Sequence, residues 1–461
     1  MKRLLTFLAV VALTGATLFT SPSVYPTGTT IYHPDKAWNG YTVLDTPNSQ
    51  GAVLIDMNGA PVHRWPGVTA VPGPARLLPG GDLVGGSARR RPHQEARALV
   101  QVNWKGDTVW SFDHADLVEE AGQPATWMAR QHHDWQREGS PNGDYAPGAL
   151  PMTSGGRTLL LTHKNVTRPA ISDRLLEDDR LVEVSWEGKV LWEWLASDHI
   201  DDFGFSDQAR NAIHRFPSWA DNRGSGDYLH VNAAAYLGPN SWYDAGDRRF
   251  NPDNIIISSR NASVIAIIDK ATGAFVWRMG PDYRDTKALR ELEQVIGQHH
   301  PHLIAKGLPG AGNLLVFDNG GASMYGDGNP GAPTGANVVT RINSRVLEIN
   351  PVTFEKVWEY SLGGQERFEF ASHYISSAQR LPNGNTLIDE GADGRIFEVT
   401  AAKEIVWEYV SPFFGPEDGS VSTNRVYRAQ RVPYDWVPQL PKPVERAVIP
   451  PDITTFRIPP R

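Results

Sequence analysis

Histidines stand at several points of the chain where they could act on one substrate. Residues 298–303 read QHHPHL and hold three of the 14 histidines. Two more stretches, QHHDWQ at 131–136 and HVNAA at 230–234, also begin with histidine. Imidazole can act as a nucleophile, move protons near neutral pH or bind a metal ion. A lone histidine is more often structural, so function depends on whether these stretches face one site.

Other polar side chains accompany the histidines. Arg260 ends the run IIISSR, Asn232 follows His230, and Ser376 and Ser377 lie in YISSAQ at 374–379. Guanidinium, imidazole, amide and hydroxyl groups together suit an oxygen-rich anionic ligand, which arginine binds through two parallel hydrogen bonds. These stretches lack the paired carboxylates expected of a glycosidase.

The elements that position these residues are indicated by a repeat. Pairs of short β-type runs joined by turns end in a tryptophan, as in GDTVWSF, GKVLWEW and KEIVWEY. The marker residues are Trp65, Trp110, Trp192, Trp277, Trp358 and Trp407. The shortest intervals approach the ~45 residues of a four-stranded propeller blade. The sequence therefore predicts an all-β, six-bladed β-propeller with four-stranded blades; the alternative is a β-sandwich with coincidental tryptophans.

The two ends of the chain are predicted to close the ring. The first repeat has three evident strands, near 41–46, 52–57 and 61–65, and lacks an innermost one. Residues 424–433, NRVYRAQRVP, form a β run with no hairpin of its own. We expect this run to complete the first blade, because such closure protects sheet edges. We also expect a helix at about 285–296.

The repeat register predicts which residues face the central channel. The first strand of a propeller blade lines the tunnel, and its start lies at one mouth. The third, fourth and fifth repeats open with QHHDWQ, HVNAA and QHHPHL, and His373 precedes the sixth opening. We therefore expect His133, His230 and His299 to meet at one mouth. Arg260 lies one strand along in the fourth blade.

Composition limits the remaining classes. The chain has no cysteine, which excludes disulfides, thiolate metal sites and a cysteine nucleophile. Net charge is -8 and no Lys/Arg block resembles a nucleic-acid footprint. Lys2 and Arg3 precede an apolar run, which indicates export to the periplasm or the extracellular space. The same segment could serve as a membrane anchor. We predict a signal peptide or anchor at 1–22, a catalytic propeller at 23–440 and a Pro-rich tail at 441–461.

At this level of detail the chain resembles the bacterial arylsulfotransferase family. The resemblance rests on YPTGTTIYHPDKAWNGYTVLD at 25–45, the openings HHD, HVN and QH, and on IIISSRNAS, VFDNG, SRVLEI and QRLPNGNTLI. It implies an exported six-bladed propeller that moves a sulfuryl group from a phenolic sulfate ester to a phenol. It also implies no nucleotide donor, cofactor or metal, and the sequence has no GxxxxGK[ST] loop.

The resemblance also implies residue roles. His299 corresponds to the family nucleophile, which becomes a sulfohistidine, and His133, His230, Arg260 and Asn232 correspond to residues around the sulfuryl group. The other substrate-binding candidates at the openings are Ser376, Ser377, Tyr374, Tyr427 and His300. Regular strand alternation would turn His300 away from His299, towards the blade interior or the neighbouring blade.

Two other functions remain open from the residues alone. One is a propeller polysaccharide lyase, which would use His, Tyr and Arg or a metal bound by His133, His230, His299 and His300. The other is an exported propeller that binds without catalysis. Neither the natural phenols, the oligomeric state nor the roles of insertions 196–229 and 238–252 are predicted.

Overall fold

A computed structural model describes residues 26–47, 51–68, 73–90, 94–119, 124–217, 226–322, 324–325, 340–364, 366–417 and 421–450. The predicted signal peptide or anchor at 1–22 lies outside these residues, as does the end of the tail, 451–461. Within the described ranges no helix is long and apolar enough to cross a membrane.

Antiparallel strands make up the described part of the chain. Three sheets have four strands each, in the orders Gln430–Val432, Tyr41–Asp45, Ala52–Ile55, Pro61–Trp65; Val231–Tyr236, Ile255–Ser259, Val264–Ile268, Phe275–Met279; and His299–Leu303, Leu314–Asp318, Arg345–Ile349, Lys356–Tyr360. A five-stranded sheet runs Gly28–Tyr32, Ile405–Val410, Arg395–Val399, Thr386–Glu390, Ser377–Arg380.

The largest sheet has eight strands. Its order is Val190–Leu195, Ser172–Val184, Thr158–Arg168, Gln131–Arg137, Glu95–Val102, Leu83–Arg90, Arg76–Leu77, with Thr108–Phe112 beside Glu95–Val102. Its two halves are joined where Gln131 pairs with Ala96. Small two-stranded sheets pair Asp116–Val118 with Thr126–Met128, Gly321–Ala322 with Thr340–Arg341, and Gly415–Glu417 with Val421–Thr423.

Within the ranges given above, helices are few and short. The α-helices are Asp207–Arg215, Ser241–Asp244 and Lys287–Leu292, and the 3-10 helices are Ala196–Phe203, Arg248–Phe250, Glu366–Glu369, Gly391–Asp393 and Tyr434–Trp436. The helix expected at 285–296 is therefore present but shorter. It begins where Thr286 Oγ1 accepts a hydrogen bond from Leu289 N, and it ends at Glu293, whose φ is 61°.

The repeated tryptophans connect each repeat to the next. Each indole Nε1 donates a hydrogen bond to a carbonyl in the hairpin turn of the following repeat. The pairs are Trp65 to Asn103 O, Trp110 to Trp186 O, Trp192 to Lys270 O, Trp277 to Pro351 O, Trp358 to Ala401 O, and Trp407 to Met57 O. Since the last bond returns to the first repeat, the repeats form a closed circuit. The fold is thus an all-β, propeller-like arrangement.

Both chain ends contribute strands. Gln430–Val432 pairs with Tyr41–Asp45 as the innermost strand of the first sheet, so the predicted closure by the C-terminal run is confirmed. Gly28–Tyr32 pairs with Ile405–Val410 as a fifth, outer strand of the last sheet, which was not predicted. Both pairings cover edges that would otherwise offer unpaired backbone groups.

Polar side chains tie the innermost strands together, while apolar cores lie between sheets. Gln379 exchanges two hydrogen bonds with the backbone of Arg431, of 2.9 and 2.8 Å. Gln136 Oε1 accepts from Tyr236 N at 2.6 Å. These amide bonds fix how far one first strand is shifted along its neighbour, and therefore how their ends meet at the channel mouth.

One loop crosses the ring at the end of the first strands opposite to His299. Asn142 Nδ2 donates to Leu303 O at 3.2 Å, and Gln430 Nε2 donates to Gly143 O at 3.0 Å. Gly143 has a φ of 83°, and a Cβ there would meet the Arg76 guanidinium at 2.5 Å. This close approach requires glycine. The loop plugs that end of the channel.

Candidate active site

The three histidine openings share a distortion of the backbone. His133, His230 and His300 have φ values of 53°, 51° and 53°, in the left-handed region that β strands avoid. Each of these first strands shifts register against its partner at this point. Such non-glycine residues cost roughly 1–3 kcal/mol each and cluster at functional sites. The distortion re-aims the side chains that regular alternation would place.

His300 turns away from His299 as expected, but regular strand alternation is not the cause. Regular alternation assumed a strand-like backbone, whereas the register shifts between His299 and His302. The His300 ring lies 4.4 Å from the His302 ring, centroid to centroid, and its Nε2 lies 3.6 Å from Asp144 Oδ2. His300 joins a separate polar group further along the same strand.

His299 is held in one tautomer by Asn319. The distance from His299 Nδ1 to Asn319 Oδ1 is 2.7 Å. Asn319 Nδ2 donates to Ser372 O at 2.7 Å and to Ile375 O at 2.8 Å, which fixes which end of the amide faces the imidazole. An amide oxygen only accepts hydrogen bonds, so Nδ1 of His299 carries the proton. The lone pair of the neutral ring therefore lies on Nε2.

Electrostatics keep His299 neutral. Burial lowers its pKa well below the ordinary 6.5, and the charges of Arg260 and His230 lower it further, against a smaller opposing effect of the bond to Asn319. An imidazole that stays unprotonated at neutral pH is available as a nucleophile.

His230 is paired with a carboxylate. Its Nδ1 lies 2.5 Å from Asp227 Oδ2, and its ring centroid lies 4.6 Å from that of His133. Burial raises the pKa of Asp227, but the charge of His230 and the hydrogen bond to it outweigh burial and hold that pKa below its usual range. An ionised Asp227 orients the imidazole of His230.

His133 is neutral. Burial lowers its pKa well below the usual value, and His230, His132 and His299 lower it further. Its Nδ1 lies 2.7 Å from His132 Nδ1, so one of these two nitrogens donates to the other. Tyr427 donates its hydroxyl to His133 O at 3.1 Å and is buried, which positions the backbone of His133.

Arg260 and Asn232 each make a hydrogen bond to the backbone of an opening stretch. Arg260 donates its backbone N–H to His230 O at 3.1 Å and acts electrostatically on His299. Asn232 is fully buried, and its Nδ2 donates to Gln298 O at 2.8 Å. Asn232 therefore fixes the residue that precedes His299. We call His133, His230, Arg260 and His299 the mouth cluster.

The remaining substrate-binding candidates lie around the sixth opening. Ser376 Oγ donates to Ser372 Oγ at 2.8 Å, and Ser372 in turn contributes the carbonyl that holds Asn319. Ser377 is buried in the first strand of its sheet. Tyr374 is half-buried, with its ring 4.9 Å from that of His373. Contact of these side chains with a substrate stays a prediction.

Two further residues of the site were absent from the sequence-based candidates. Asp227 precedes His230 by three residues, and Asn319 lies in VFDNG, a stretch that carried only the family resemblance. A carboxylate shortly before an opening histidine would have indicated Asp227. An amide at the end of the second strand of a repeat would have indicated Asn319.

A buried acidic group lies behind His133. The rings of His132 and His163 stack at a centroid distance of 3.6 Å. Glu95 Oε1 lies 3.2 Å from His163 Nδ1 and 2.7 Å from Arg130 Nη2. Burial lowers the pKa of His163, but the bond to Glu95 and the charge of Glu177 outweigh it and raise that pKa to about 9.

A second polar group fills the channel beyond the mouth. Asp134 binds Arg76 Nη2 at 2.9 Å and Arg428 Nη1 at 3.1 Å. The group, which we call the channel cluster, consists of Arg76, Asp134, Asp144, His300, His302 and Arg428. All of its members are buried.

The metal ligand set of the lyase alternative is not assembled. Among the described residues, the groups of His, Asp and Glu close enough to hold a metal are His132, His163 and Asp179; Asp144, His300 and His302; and Glu95, His163 and Glu177. None of these groups contains His133, His230 or His299.

A well-formed cavity lies away from the mouth cluster. It measures about 490 Å³ and is lined by the plugging loop and by the far ends of two first strands, including Gln136, Pro147, Leu150, Arg157 and Tyr236. It is thus at the end of the channel opposite to the mouth cluster, whose chemistry rests on buried imidazoles and not on this cavity.

The family model Arylsulfotransferase (ASST) matches residues 149–411. The chain belongs to this family. The matched span contains His230, Arg260, His299 and Asn319, whereas His133 precedes it. Membership supports sulfotransferase activity at the level of the family.

Solved structures similar to this chain share little of its sequence. A protein of unknown function from Bacteroides caccae is 10% identical, with 86% of this chain and 99% of that one covered and a TM-score of 0.43. The Dos1 propeller is 10% identical over 87% and 75%, TM-score 0.32. Virginiamycin B lyase from Staphylococcus aureus is 11% identical over 85% and 87%, TM-score 0.32. No protein of curated function matches the chain.

Proposed function

We propose that the protein transfers a sulfuryl group from an aryl sulfate to a phenol, with His299 as the nucleophile. The observation that carries the proposal is the tautomer of His299. Its Nδ1 proton is held by Asn319 Oδ1, so a neutral Nε2 lone pair is available beside the charge of Arg260.

In the first step, His299 Nε2 attacks sulfur and the bond from sulfur to the aryl oxygen breaks. The product is an N-sulfohistidine, and the departing oxygen takes the electron pair and a proton. His230 is the better proton donor of the two neighbouring histidines. Asp227 lies 2.5 Å from its Nδ1 and stabilises its protonated form. His133, whose pKa is lowered by burial, would serve through its neutral N–H.

In the second step, the oxygen of the acceptor phenol attacks sulfur. His230, now neutral, takes the phenolic proton, and the sulfur–nitrogen bond breaks to restore neutral His299. The same residue thus alternates between acid and base, and no water or cofactor is consumed. The predicted partners are therefore a phenolic sulfate donor and a phenolic acceptor.

Arg260 is the residue we assign to the equatorial sulfuryl oxygens. A guanidinium beside the nucleophile stabilises the charge that builds on these oxygens, and it needs no reorganisation during reaction. Asn232 supports the site indirectly in this proposal, because its amide nitrogen is bonded to Gln298 O.

Two structural expectations belong to the same proposal. We infer six blades by counting the eight-stranded sheet as two, since its halves are joined only near the pair Gln131 and Ala96. We also propose export, which rests on the basic residues and apolar run at 2–19.

The test uses 4-nitrophenyl sulfate as donor. We expect nitrophenolate release that depends on added phenol, together with formation of phenyl sulfate. His299→Ala should abolish both products, whereas His302→Gln, a change on the same strand, should retain them. Quenched enzyme with donor alone should carry one SO₃ group on the peptide that contains His299.

Release of nitrophenolate without phenyl sulfate would point to hydrolysis. Full transfer by His299→Ala, or an SO₃ group on another residue, would contradict the assigned nucleophile. A metal-dependent rise in unsaturated uronate absorbance on an acidic polysaccharide would favour the lyase.

A further inference from the structure

Two histidine rings stack behind the mouth cluster, and one of them is charged. The rings of His132 and His163 lie 17° from parallel, with centroids 3.6 Å apart. His163 Nδ1 lies 3.2 Å from Glu95 Oε1 and 4.0 Å from Glu177 Oε1. Burial lowers the pKa of His163, but the hydrogen bond to Glu95 and the charge of Glu177 outweigh it and raise that pKa to about 9. The stack therefore contains an imidazolium at neutral pH.

His132 is the neutral ring of the stack. Burial lowers its pKa well below the ordinary 6.5, and the charge of His163 lowers it further. A second positive ring at this distance would be repelled by the first. A neutral imidazole carries one N–H and one acceptor nitrogen. The partners of the two His132 nitrogens therefore decide which nitrogen carries the proton.

Those two nitrogens face different groups. Nδ1 of His132 lies 2.7 Å from His133 Nδ1, and Nε2 lies 3.4 Å from Asp179 Oδ1. The second distance is longer than a normal hydrogen bond by about half an ångström. However, neither Nε2 nor Oδ1 has a hydrogen-bond partner within the described ranges. Because buried polar atoms are nearly always bonded, a small rotation of the carboxyl would join this pair.

Asp179 is placed to donate a hydrogen bond to His132. Its Oδ2 accepts from Val231 N at 3.0 Å, which leaves Oδ1 on the side of His132. Nε2 of His163 lies 3.9 Å from Oδ1, but the charge of that ring is already paired with two glutamates. Burial and the charge of Asp227 raise the pKa of Asp179 well above its usual range, against the opposing charge of His163. The carboxyl is therefore neutral, with an O–H to give.

We propose that Asp179 acts through His132 to hold the proton of His133 on Nε2. The O–H of Asp179 donates to His132 Nε2, so the one proton of the His132 ring lies on Nδ1. That N–H donates to His133 Nδ1. Since His133 is neutral, its own proton lies on Nε2, the nitrogen left for a substrate oxygen. Asp179 and His132 are thus positioning residues.

The role of this tautomer in turnover rests on the proposed function. An Nε2–H on His133 gives the departing aryl oxygen a second hydrogen bond beside His230, whose ring centroid lies 4.6 Å from that of His133. The opposite tautomer would present a lone pair to the negative charge that develops on this oxygen. A donor fixed in advance stabilises that charge, whereas a lone pair repels it.

The two reactive histidines are held by opposite devices. Nδ1 of His299 faces an acceptor, Asn319 Oδ1, and its Nε2 keeps a lone pair for attack on sulfur. Nδ1 of His133 faces His132, which becomes a donor through Asp179, and its Nε2 keeps a proton. The partner of Nδ1 thus makes one ring a nucleophile and the other a hydrogen-bond donor.

The first test measures the tautomer directly. Nitrogen NMR of the full chain, grown with isotope-labelled histidine, separates protonated from unprotonated ring nitrogens. The signals of His133 are assigned by their loss in His133→Gln. We expect a protonated Nε2 and an unprotonated Nδ1 in the unmodified protein. The reverse would overturn the proposal, and this measurement does not depend on turnover.

The second test separates a neutral carboxyl from an ionised one. Asp179→Asn should keep the tautomer of His133 and most of the transfer activity, because an amide N–H replaces the O–H towards His132. Asp179→Leu removes this donor. It should lower kcat/KM of sulfuryl transfer by at least about 10-fold, part of the roughly 10²–10³ that one oriented donor contributes.

Asp178→Leu is the matched control at the neighbouring position. Asp178 is buried and bonds Ser197 N and Tyr228 Oη, so its loss tests the removal of a carboxyl outside the relay. Transfer per folded molecule should be unchanged in this variant.

Three outcomes discriminate between the inference and the proposed function. Equal losses of transfer in Asp179→Asn and Asp179→Leu would show that an ionised carboxylate is required, and would overturn the inference. Full transfer by Asp179→Leu would overturn it as well. An unmodified chain that has the expected His133 tautomer but transfers no sulfuryl group would contradict the proposed function and leave the tautomer assignment standing.

Discussion

The strand His299–Leu303 contributes histidines to two polar regions that differ in how the rings are held. In the mouth cluster, His299 and His230 each have Nδ1 bonded to a fixed acceptor, Asn319 Oδ1 or Asp227 Oδ2. In the channel cluster, no side chain within the part of the chain that the structure describes makes a hydrogen bond to either ring nitrogen of His300.

The charges differ as well. In the channel cluster, Arg76 and Arg428 are both ion-paired with Asp134, so their charge is compensated. In the mouth cluster, Arg260 acts electrostatically on the neutral ring of His299. The comparison teaches that histidine and arginine on one strand do not define a reaction centre. A fixed tautomer and a charge directed at the reacting atoms are also required.

The largest effect is expected when Arg260 of the mouth cluster is replaced by methionine and compared with the same change at Arg428 of the channel cluster. Arg260→Met should lower kcat/KM of sulfuryl transfer by about 10²–10³, the usual loss for one preorganised donor to a developing oxyanion. Arg428→Met should leave the rate per folded molecule nearly unchanged. Steady-state kinetics with 4-nitrophenyl sulfate and phenol, with folded fraction measured by circular dichroism, make the comparison.

Arg428→Met serves as the control for loss of a buried charge. It should instead destabilise the protein by about 3–5 kcal/mol, because Asp134 loses a partner. Equal losses of activity per folded molecule in both variants would contradict the assignment of catalysis to the mouth cluster alone.

The next largest effect is expected from removing the carboxylate beside a histidine in each region. Asp227→Asn should lower transfer by about 10²-fold with phenyl sulfate as donor, because His230 no longer has a carboxylate to stabilise its protonated form. The loss should be smaller with 4-nitrophenyl sulfate, whose leaving group needs less help from an acid. Asp144→Asn is the matched control beside His300. A loss for Asp227→Asn that is the same with both donors would argue against acid catalysis by His230.

The sequence predicted that three histidines meet at one mouth of the channel, and the structure brings two of them into ring contact. The tryptophan register placed His133, His230 and His299 at equivalent points of their repeats, and the ring centroids of the first two lie 4.6 Å apart. The alternation of side chains along a strand does not describe His300, because a residue in the left-handed conformation breaks the two-residue period. Asn319 and Asp227 were missed because loops bring them to the site, and no periodic pattern reports such contacts.

A part of the fold could also be predicted from the sequence. Hydrophobic alternation and turns located the strands, and the missing inner strand of the first repeat predicted the pairing of Gln430–Val432. The outer strand Gly28–Tyr32 was missed, because nothing in a short β run says which sheet edge it will cover. The loop around Gly143 was missed because an irregular segment has no periodic sequence pattern. Its position depends on hydrogen bonds to Leu303 and Gln430.

The third prediction concerns stability and pH in the channel cluster. Burial raises the pKa of Asp144 to about 7, although Arg76 and Arg428 lower it. Because the folded pKa lies above the unfolded one, this carboxyl favours folding at low pH, and that contribution is lost as pH rises through about 7. Asp144→Asn should thus gain stability relative to wild type, by about 4 kcal/mol, between pH 4 and pH 8.

Urea unfolding at several pH values, with Asp134→Asn as a neighbouring control, measures this gain. Asp134 is paired with two arginines, so its removal should destabilise the protein at neutral pH instead. A gain for Asp144→Asn that does not grow with pH would show that the pKa of Asp144 is not raised in the folded protein.

The smallest effect is a displacement of the pH profile. Since burial and the charge of Arg260 lower the pKa of His299, the acid limb of kcat/KM should lie below pH 6.5. Removing the guanidinium in Arg260→Met should move the limb to higher pH, although burial still lowers the pKa of His299. Arg428→Met should move it less, because Arg428 contributes less to the shift than Arg260 does. A wild-type limb at or above 6.5 would mean that the essential unprotonated group is not His299.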